Sequence, residues 1–246
     1  MLIVWQVVVG ISLLAAWEGV GGIYGDTWTS RPSLVLAKLT TLVAGDLYVH
    51  IAVTVAEMLS GLALGTVLGV LAGLFLGRAP LLSEILRPII VALYSVPLIA
   101  LAPVLIMFFG LDMQPKIALV TMVVFFLLFF NTLAGVEAID PDLIGSLELM
   151  GATRREEFQK VIAPASMVWI LGGVKIALPY ALVAATVGEI LAARRGLGFL
   201  LTQASSQFDM TSLYATLFIL MIMGMLTAEL AVRLEHWLLR WRHASR

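Results

Sequence analysis

Six long runs of apolar residues, separated by polar breaks, set the pattern of this chain. They extend from Leu2 to Tyr24, Ile51 to Leu76, Ile89 to Leu111, Ile117 to Val136, Ala165 to Leu191 and Leu213 to Val232. A helix needs about 20 mainly apolar residues to cross a bilayer, because only an internally hydrogen-bonded backbone is tolerated in hydrocarbon. Each run therefore predicts a transmembrane helix. Composition agrees: 61% of the 246 residues are apolar and 13% charged, with a mean hydropathy of +1.04. Soluble domains are roughly half apolar and a quarter charged. The expectation is an all-α membrane protein with six transmembrane helices. The first run is kept as a span, since no Lys or Arg precedes it and no clear small-x-small cleavage site follows.

Lys and Arg counted by side predict the orientation. With the amino terminus in the cytoplasm, the inside holds Arg78, Arg87, Arg154, Arg155, Lys160, Arg233, Arg240, Arg242 and Arg246, and the outside Arg31, Lys38, Lys116, Arg194 and Arg195. Nine against five places both termini in the cytoplasm, with Arg194 and Arg195 counting the other way. The chain then divides into a first transmembrane helix (1–24), an outer connection (25–50), a core of five helices (51–241) and a short tail (242–246). Within the outer connection, the stretch from Pro32 reads as a short amphipathic helix lying along the membrane. The one long polar loop on the inner side runs from Glu137 to Lys160.

Two local patterns stand out. Gly61, Gly65, Gly69, Gly73 and Gly77 recur every fourth residue and form a stripe along the second span. Such stripes let helix backbones approach closely, which in lipid replaces the missing hydrophobic drive between helices. The spacing leaves open which helix, in which subunit, lies against it. In the polar loop, Asp140-Pro141 starts a short helix reaching Met150, and Gly151 ends it. Thr153-Arg-Arg-Glu156 then offers a capping box for a second helix, with Phe158, Val161 and Ile162 on its apolar edge and Pro164 breaking it at the membrane. The loop is a charged, protruding hairpin around a glycine elbow.

The segment Gly151 to Pro164 resembles the second half of the EAA loop of ABC importer permeases, whose pattern is E-A-A, three residues, G, nine residues, I-x-L-P. The glycine and the spacing of nine are kept; Gly145-Ser-Leu147 stands at E-A-A, and Val161-Ile-Ala-Pro164 at I-x-L-P. Arg31-Pro-Ser-Leu-Val, Ser95-Val-Pro-Leu-Ile-Ala-Leu-Ala-Pro103, Phe109-Gly-Leu-Asp-Met-Gln-Pro-Lys116, Asn131-Thr-Leu-Ala-Gly-Val, and Glu189 followed by Gly196-Leu-Gly198 occur in the order seen in the nitrate, sulfonate and taurine branch. Glu57 departs from it, since that branch generally has a basic residue there. The resemblance implies the type I ABC importer permease (MetI-like) fold with a cytoplasmic coupling-helix hairpin. It further implies two permease copies, as a homodimer, forming a pore in the inner membrane, two ATPase subunits below, and a periplasmic substrate-binding protein above. Gly151, Ala152, Thr153, Arg154, Arg155, Glu156, Phe158 and Pro164 are the ATPase-coupling residues it implies.

The chemistry expected of the chain itself is correspondingly slight. There is no G-x-x-x-x-G-K-[ST], so no ATP site is expected on this chain; the resemblance implies ATP and Mg on the partner ATPase and no cofactor on this chain. Cysteine is absent, neither H-E-x-x-H nor G-x-S-x-G occurs, and the three histidines lie at a span boundary or in the tail. A net charge of −1 argues against nucleic acid. Candidates for the translocation path are Tyr94, Ser95 and Pro97, where prolines interrupt the third span, together with Asn131, Lys175 and Glu189. Lys175 reads either as an anion-attracting gate or as a structural partner for an acid. Glu189 reads as a contact for Arg194, Arg195 or a docked protein, or as an interfacial group. Asn131 reads as an interhelical hydrogen bonder, and Glu229 as snorkelling or paired. The cargo would be a sulfonate, taurine, nitrate or a related organic anion or heterocycle. A passive channel or membrane scaffold is the alternative, which an ATPase partner would exclude.

Overall fold

A computed structural model describes residues 2–25 and 28–238. Arg240, Arg242, Arg246 and the tail 242–246 lie outside the described residues. The chain forms α1 (Leu2–Tyr24), α2 (Pro32–Ala44), α3 (Leu47–Gly77), α4 (Pro80–Tyr94), a 3-10 turn (Leu98–Leu101), α5 (Ala102–Phe109) and α6 (Met113–Glu137). It continues with α7 (Pro141–Leu149), α8 (Arg154–Glu157), a π turn (Phe158–Ile162), α9 (Ala163–Ala192), α10 (Leu197–Ser206) and α11 (Met210–Leu238). Five helices are long and apolar enough to cross a membrane, and the bent pair around residues 95–97 brings the number to six.

The glycine stripe settles the architecture. Built onto Gly61, Gly65 or Gly73, a Cβ would lie 2.5 Å from Val120, 2.7 Å from Val124 or 2.7 Å from Thr132. At Gly69 it would lie 2.6 Å from the Phe125 carbonyl, and at Gly77 2.7 Å from Val136. The stripe's partner is thus α6 of the same subunit, which answers with its own residues at a spacing of four. Val120, Val124 and Leu128 are fully buried along this seam. The third long helix, α9, closes on α6 by the same device: a Cβ on Gly135 would meet Trp169 at 2.7 Å, one on Gly173 would meet Asn131 at 3.0 Å, and one on Gly188 would meet Lys116 at 3.0 Å. Van der Waals contact over the full length joins α3, α6 and α9 into one body. By contrast, α1 is exposed along most of its length and is held near its end, where Trp17 donates to the Thr29 carbonyl at 3.1 Å and Glu18 accepts from the Ser33 hydroxyl at 2.7 Å.

Three sequence expectations are corrected. The third span is not one helix: α4 and the segment 98–109 meet at 75°. Pro97 has no N–H to continue the ladder, and the residue before a proline is steered out of helical geometry. Pro164 does not break the chain at the membrane. Its missing N–H is absorbed by the π turn, in which Ala163 N–H reaches back to the Phe158 carbonyl, so that one helical rod runs from Arg154 to Ala192. Lys116 does not sit in an outer loop; it is buried in the first turn of α6. The helix α10 had no counterpart in the apolar pattern.

Candidate functional site

Three features at different depths of the α3–α6–α9 body bear on function. The first is the hairpin at one end, called here the hairpin end. Asp140 caps α7 by accepting from Asp142 N–H at 2.9 Å. Gly151 then takes φ +78°, where nothing lies within 4 Å of its missing Cβ. Glycine is required there by the dihedral angle, not by space. Thr153 and Glu156 form the complete capping box, and Lys160 adds an ion pair to Glu156 at 3.0 Å. The base is seated by apolar packing of Ile144, Phe158 and Ile162 against Leu74, Val136 and Ile139, with the Arg78 guanidinium 5.1 Å above the Phe158 ring. Its tip is open: Leu149 is 93% exposed and Met150 82%. These two are the residues that sequence reasoning passed over, although an apolar pair just before a helix-ending glycine in a charged loop was a legible signal. Ala152 is half-buried, and Arg154 and Arg155 point outward around the same elbow.

The second feature is a groove of about 380 Å³ beside the broken span. Tyr94, Ser95, Pro97, Ile99, Leu127, Ile176 and Tyr180 are among its lining residues. The Tyr94 ring is braced by Phe126 and Phe130, at centroid distances of 5.4 and 5.2 Å, and Ser95 returns its hydroxyl to the Val91 carbonyl at 2.8 Å. The structure brings Tyr94, Ser95 and Pro97 together but leaves the other path candidates elsewhere. Asn131 donates to Leu127 of its own helix at 2.8 Å instead of bonding across helices. Lys175 ion-pairs with Glu235 of α11 at 2.8 Å. Glu229 pairs with Arg233 at 2.8 Å.

The third feature is a polar cluster at the far end. Glu57 is fully buried and holds the Lys116 ammonium at 2.6 Å. Glu189, 1% exposed, accepts from Thr54 Oγ1 at 2.6 Å and from Gly198 N–H at 2.7 Å. It is therefore enclosed by the bundle and does not face the groove. Neither interfacial solvation nor a pairing with Arg194 or Arg195 describes it, because one oxygen is taken by Thr54 of α3 and the other by the Gly198 amide in the first turn of α10. Leu197 N–H donates to Thr54 Oγ1 at 3.0 Å and Gly196 N–H to His50 Nδ1 at 3.0 Å. Gly196 takes φ +118°, and a side chain there would fall on the Glu189 carboxylate. His50, Thr54 and Glu57 stand at i, i+4, i+7 and lead directly into Gly61, so they prolong the glycine stripe with polar residues.

The profile of a protein family described as "Binding-protein-dependent transport system inner membrane component" matches residues 65–240. The formylaminopyrimidine transport permease protein ThiX of Halalkalibacterium halodurans is 31% identical over 233 residues, spanning 94% of this chain and 93% of that protein. The putative aliphatic sulfonates transport permease protein SsuC of Bacillus subtilis is 28% identical over 235 residues, spanning 94% of this chain and 85% of that protein. Among solved structures, a chain of the MetNI methionine ABC transporter in an inward-facing conformation superposes with a TM-score of 0.67 at 21% identity, covering 77% of this chain and 94% of that one. The type I importer permease fold expected from the sequence is the fold observed.

Proposed function

The chain belongs to the family of binding-protein-dependent transport system inner membrane components, and from that premise we propose a particular assembly and direction of work. It is a multi-pass membrane protein and the permease subunit of an ABC importer, a transporter component and not itself an enzyme. In the proposed assembly two copies enclose the pathway, with the grooves at Tyr94 and Pro97 facing it. The hairpin end lies in the cytoplasm, where two ATP-hydrolysing subunits, carrying ATP and Mg, grip the elbow at 149–156. A soluble binding protein delivers the solute at the far end. The solute is a small anion or heterocycle, in the range from sulfonates, taurine and nitrate to pyrimidines.

The single observation that supports this reading best is the continuity of the hairpin with α9. The rod from Arg154 to Ala192 has 39 residues, or about 58 Å at 1.5 Å per residue. It is zipped to α6 near both ends, so a displacement at the exposed tip is delivered to the groove without loss in a flexible joint. Packed interfaces switch between discrete arrangements instead of deforming smoothly, which suits an opening driven from one end.

Purification of the tagged chain from its native membranes tests the assembly. An ATP-hydrolysing protein should remain bound in equal proportion, and uptake into proteoliposomes should require ATP and the soluble binding protein. Solute movement by the purified chain alone would support a passive channel instead.

A further inference from the structure

The far-end cluster has no part in gripping an ATPase or lining the groove, yet it buries three ionisable side chains, Glu57, Lys116 and Glu189, inside the bundle. Enclosing such groups is costly, and a well-packed apolar set of similar volume is often no less stable. What the cluster achieves is visible in its hydrogen bonds. Three consecutive amides, those of Gly196, Leu197 and Gly198, are each captured by a different side chain, from α3 at His50 and Thr54 and from α9 at Glu189. Leu197 is fully buried as a plug between them. The loop after α9 is thereby fastened to the same body that carries the hairpin.

What that loop displays are Arg194 and Arg195, both exposed. Lys38 at the same end pairs with Asp209 at 3.7 Å, and Lys116 pairs with Glu57. Arg194 and Arg195 make no ion pair among the described residues. They also oppose the charge bias that orients the chain, since cations are depleted on the outer side of membrane proteins. Two guanidinium groups with no ion pair among the described residues, kept where topology disfavours them and followed directly by three amides that are tied down, form a preorganised site for carboxylates.

We propose that Arg194 and Arg195 are a docking point for an acidic face of the soluble binding protein, and that His50, Thr54, Glu57, Lys116 and Glu189 are positioning residues that hold this point rigid. The proposal rests on the importer reading for the existence of that partner and adds where and by what chemistry it is met. A lipid phosphate would accept the same arginines, but it follows mobile side chains and requires no fastened backbone. Docking on a loop rigidly joined to the hairpin also links delivery at one face to the ATPase at the other through a single body.

The test uses the assembled permease–ATPase complex in nanodiscs and, as probe, the binding protein that associates with the wild-type complex. Association is measured at about 50 mM and about 500 mM salt, on either side of the roughly 0.1 M at which the Debye length is about 10 Å. Reversing both charges (Arg194→Glu with Arg195→Glu) should slow association at low salt roughly tenfold or more and flatten its salt dependence, because exposed charges act mainly on the on-rate. Arg194→Lys with Arg195→Lys should retain most of the rate. Thr54→Val keeps both arginines but releases the middle one of the three fastened amides, and should leave the salt dependence intact while dissociation quickens several-fold. Wild-type association by the charge-reversed complex overturns the proposal and leaves the importer reading standing. An effect of the arginines seen in phosphatidylglycerol nanodiscs but lost in phosphatidylcholine ones assigns them to lipid and also overturns it. Failure to recover any soluble protein that associates with the wild-type complex removes the importer reading and this proposal together.

Discussion

Glycine does opposite work in the α3–α6 seam and in the hairpin elbow. Along the seam the backbone is ordinary helix, and what matters is the absence of a side chain, because a Cβ on Gly61, Gly65, Gly69, Gly73 or Gly77 would collide with α6. At Gly151 the space is empty, and what matters is φ +78°. The seam is rigid because two helices touch; the elbow is rigid because its dihedral angle and caps leave it one conformation. The first suits a buried frame and the second an exposed grip. Joined through the rod from Arg154 to Ala192, they make a handle fixed to a frame.

Substitutions can break or sharpen this contrast. The largest effect is expected where the frame ends in charge. Lys116→Met strands Glu57 in the interior and should cost about 3–5 kcal/mol of stability, whereas Glu57→Gln combined with Lys116→Met should recover most of it. Thermal unfolding in nanodiscs reads both. Next comes Gly69→Ala, which sets a methyl group against the Phe125 carbonyl and should cost about 1–3 kcal/mol. Gly10→Ala in α1, where nothing lies within 4 Å, is its control and should be neutral in the same assay.

At the elbow, Gly151→Val forces a β-branched residue into the left-handed region at roughly 1–2 kcal/mol. Global unfolding should barely change, while ATP-dependent uptake is lost with ATP hydrolysis retained; Gly151→Asn, which tolerates that conformation, should keep both. The smallest effect belongs to the cap. Thr153→Ala removes the acceptor for Glu156 N–H at 3.4 Å and should weaken the first turn of α8 by about 1 kcal/mol. Faster amide exchange over residues 154–157, roughly fivefold and reversed by Thr153→Ser, is the matching readout.

The frame and the handle were largely legible in the sequence, because both rest on local regularities. Apolar runs mark the spans, a four-residue glycine period marks a close-packed face, and Asp140-Pro141, Gly151 and Thr153-x-x-Glu156 mark caps and an elbow. What periodicity does not reveal is the identity of a partner across the fold. Lys116 read as an outer charge because it begins an apolar run, and only the approach of α3 shows that it belongs to Glu57. Glu189, near the end of an apolar run, read as a contact for Arg194, Arg195 or a docked protein, or as interfacial, because its partner Thr54 lies far away in sequence. Pro164 read as a break because a proline's missing N–H is predicted locally, whereas the π turn that absorbs it, with Phe158 and Ile162 packed in the cluster with Val136 and Ile139, has no local signal. His50, Thr54 and Glu57 were within reach of the sequence as a polar extension of the glycine stripe.

The central claim is that the elbow of the hairpin is a cytoplasmic handle held by a separate ATP-hydrolysing subunit. The chain contains no cysteine, so Met150→Cys introduces a single reactive thiol at its exposed tip. A membrane-impermeant maleimide should leave this thiol unlabelled in intact cells, label it once the membranes are opened, and fail to label it when the ATP-hydrolysing subunit is bound. Labelling in intact cells, or labelling unaffected by that subunit, would contradict the account.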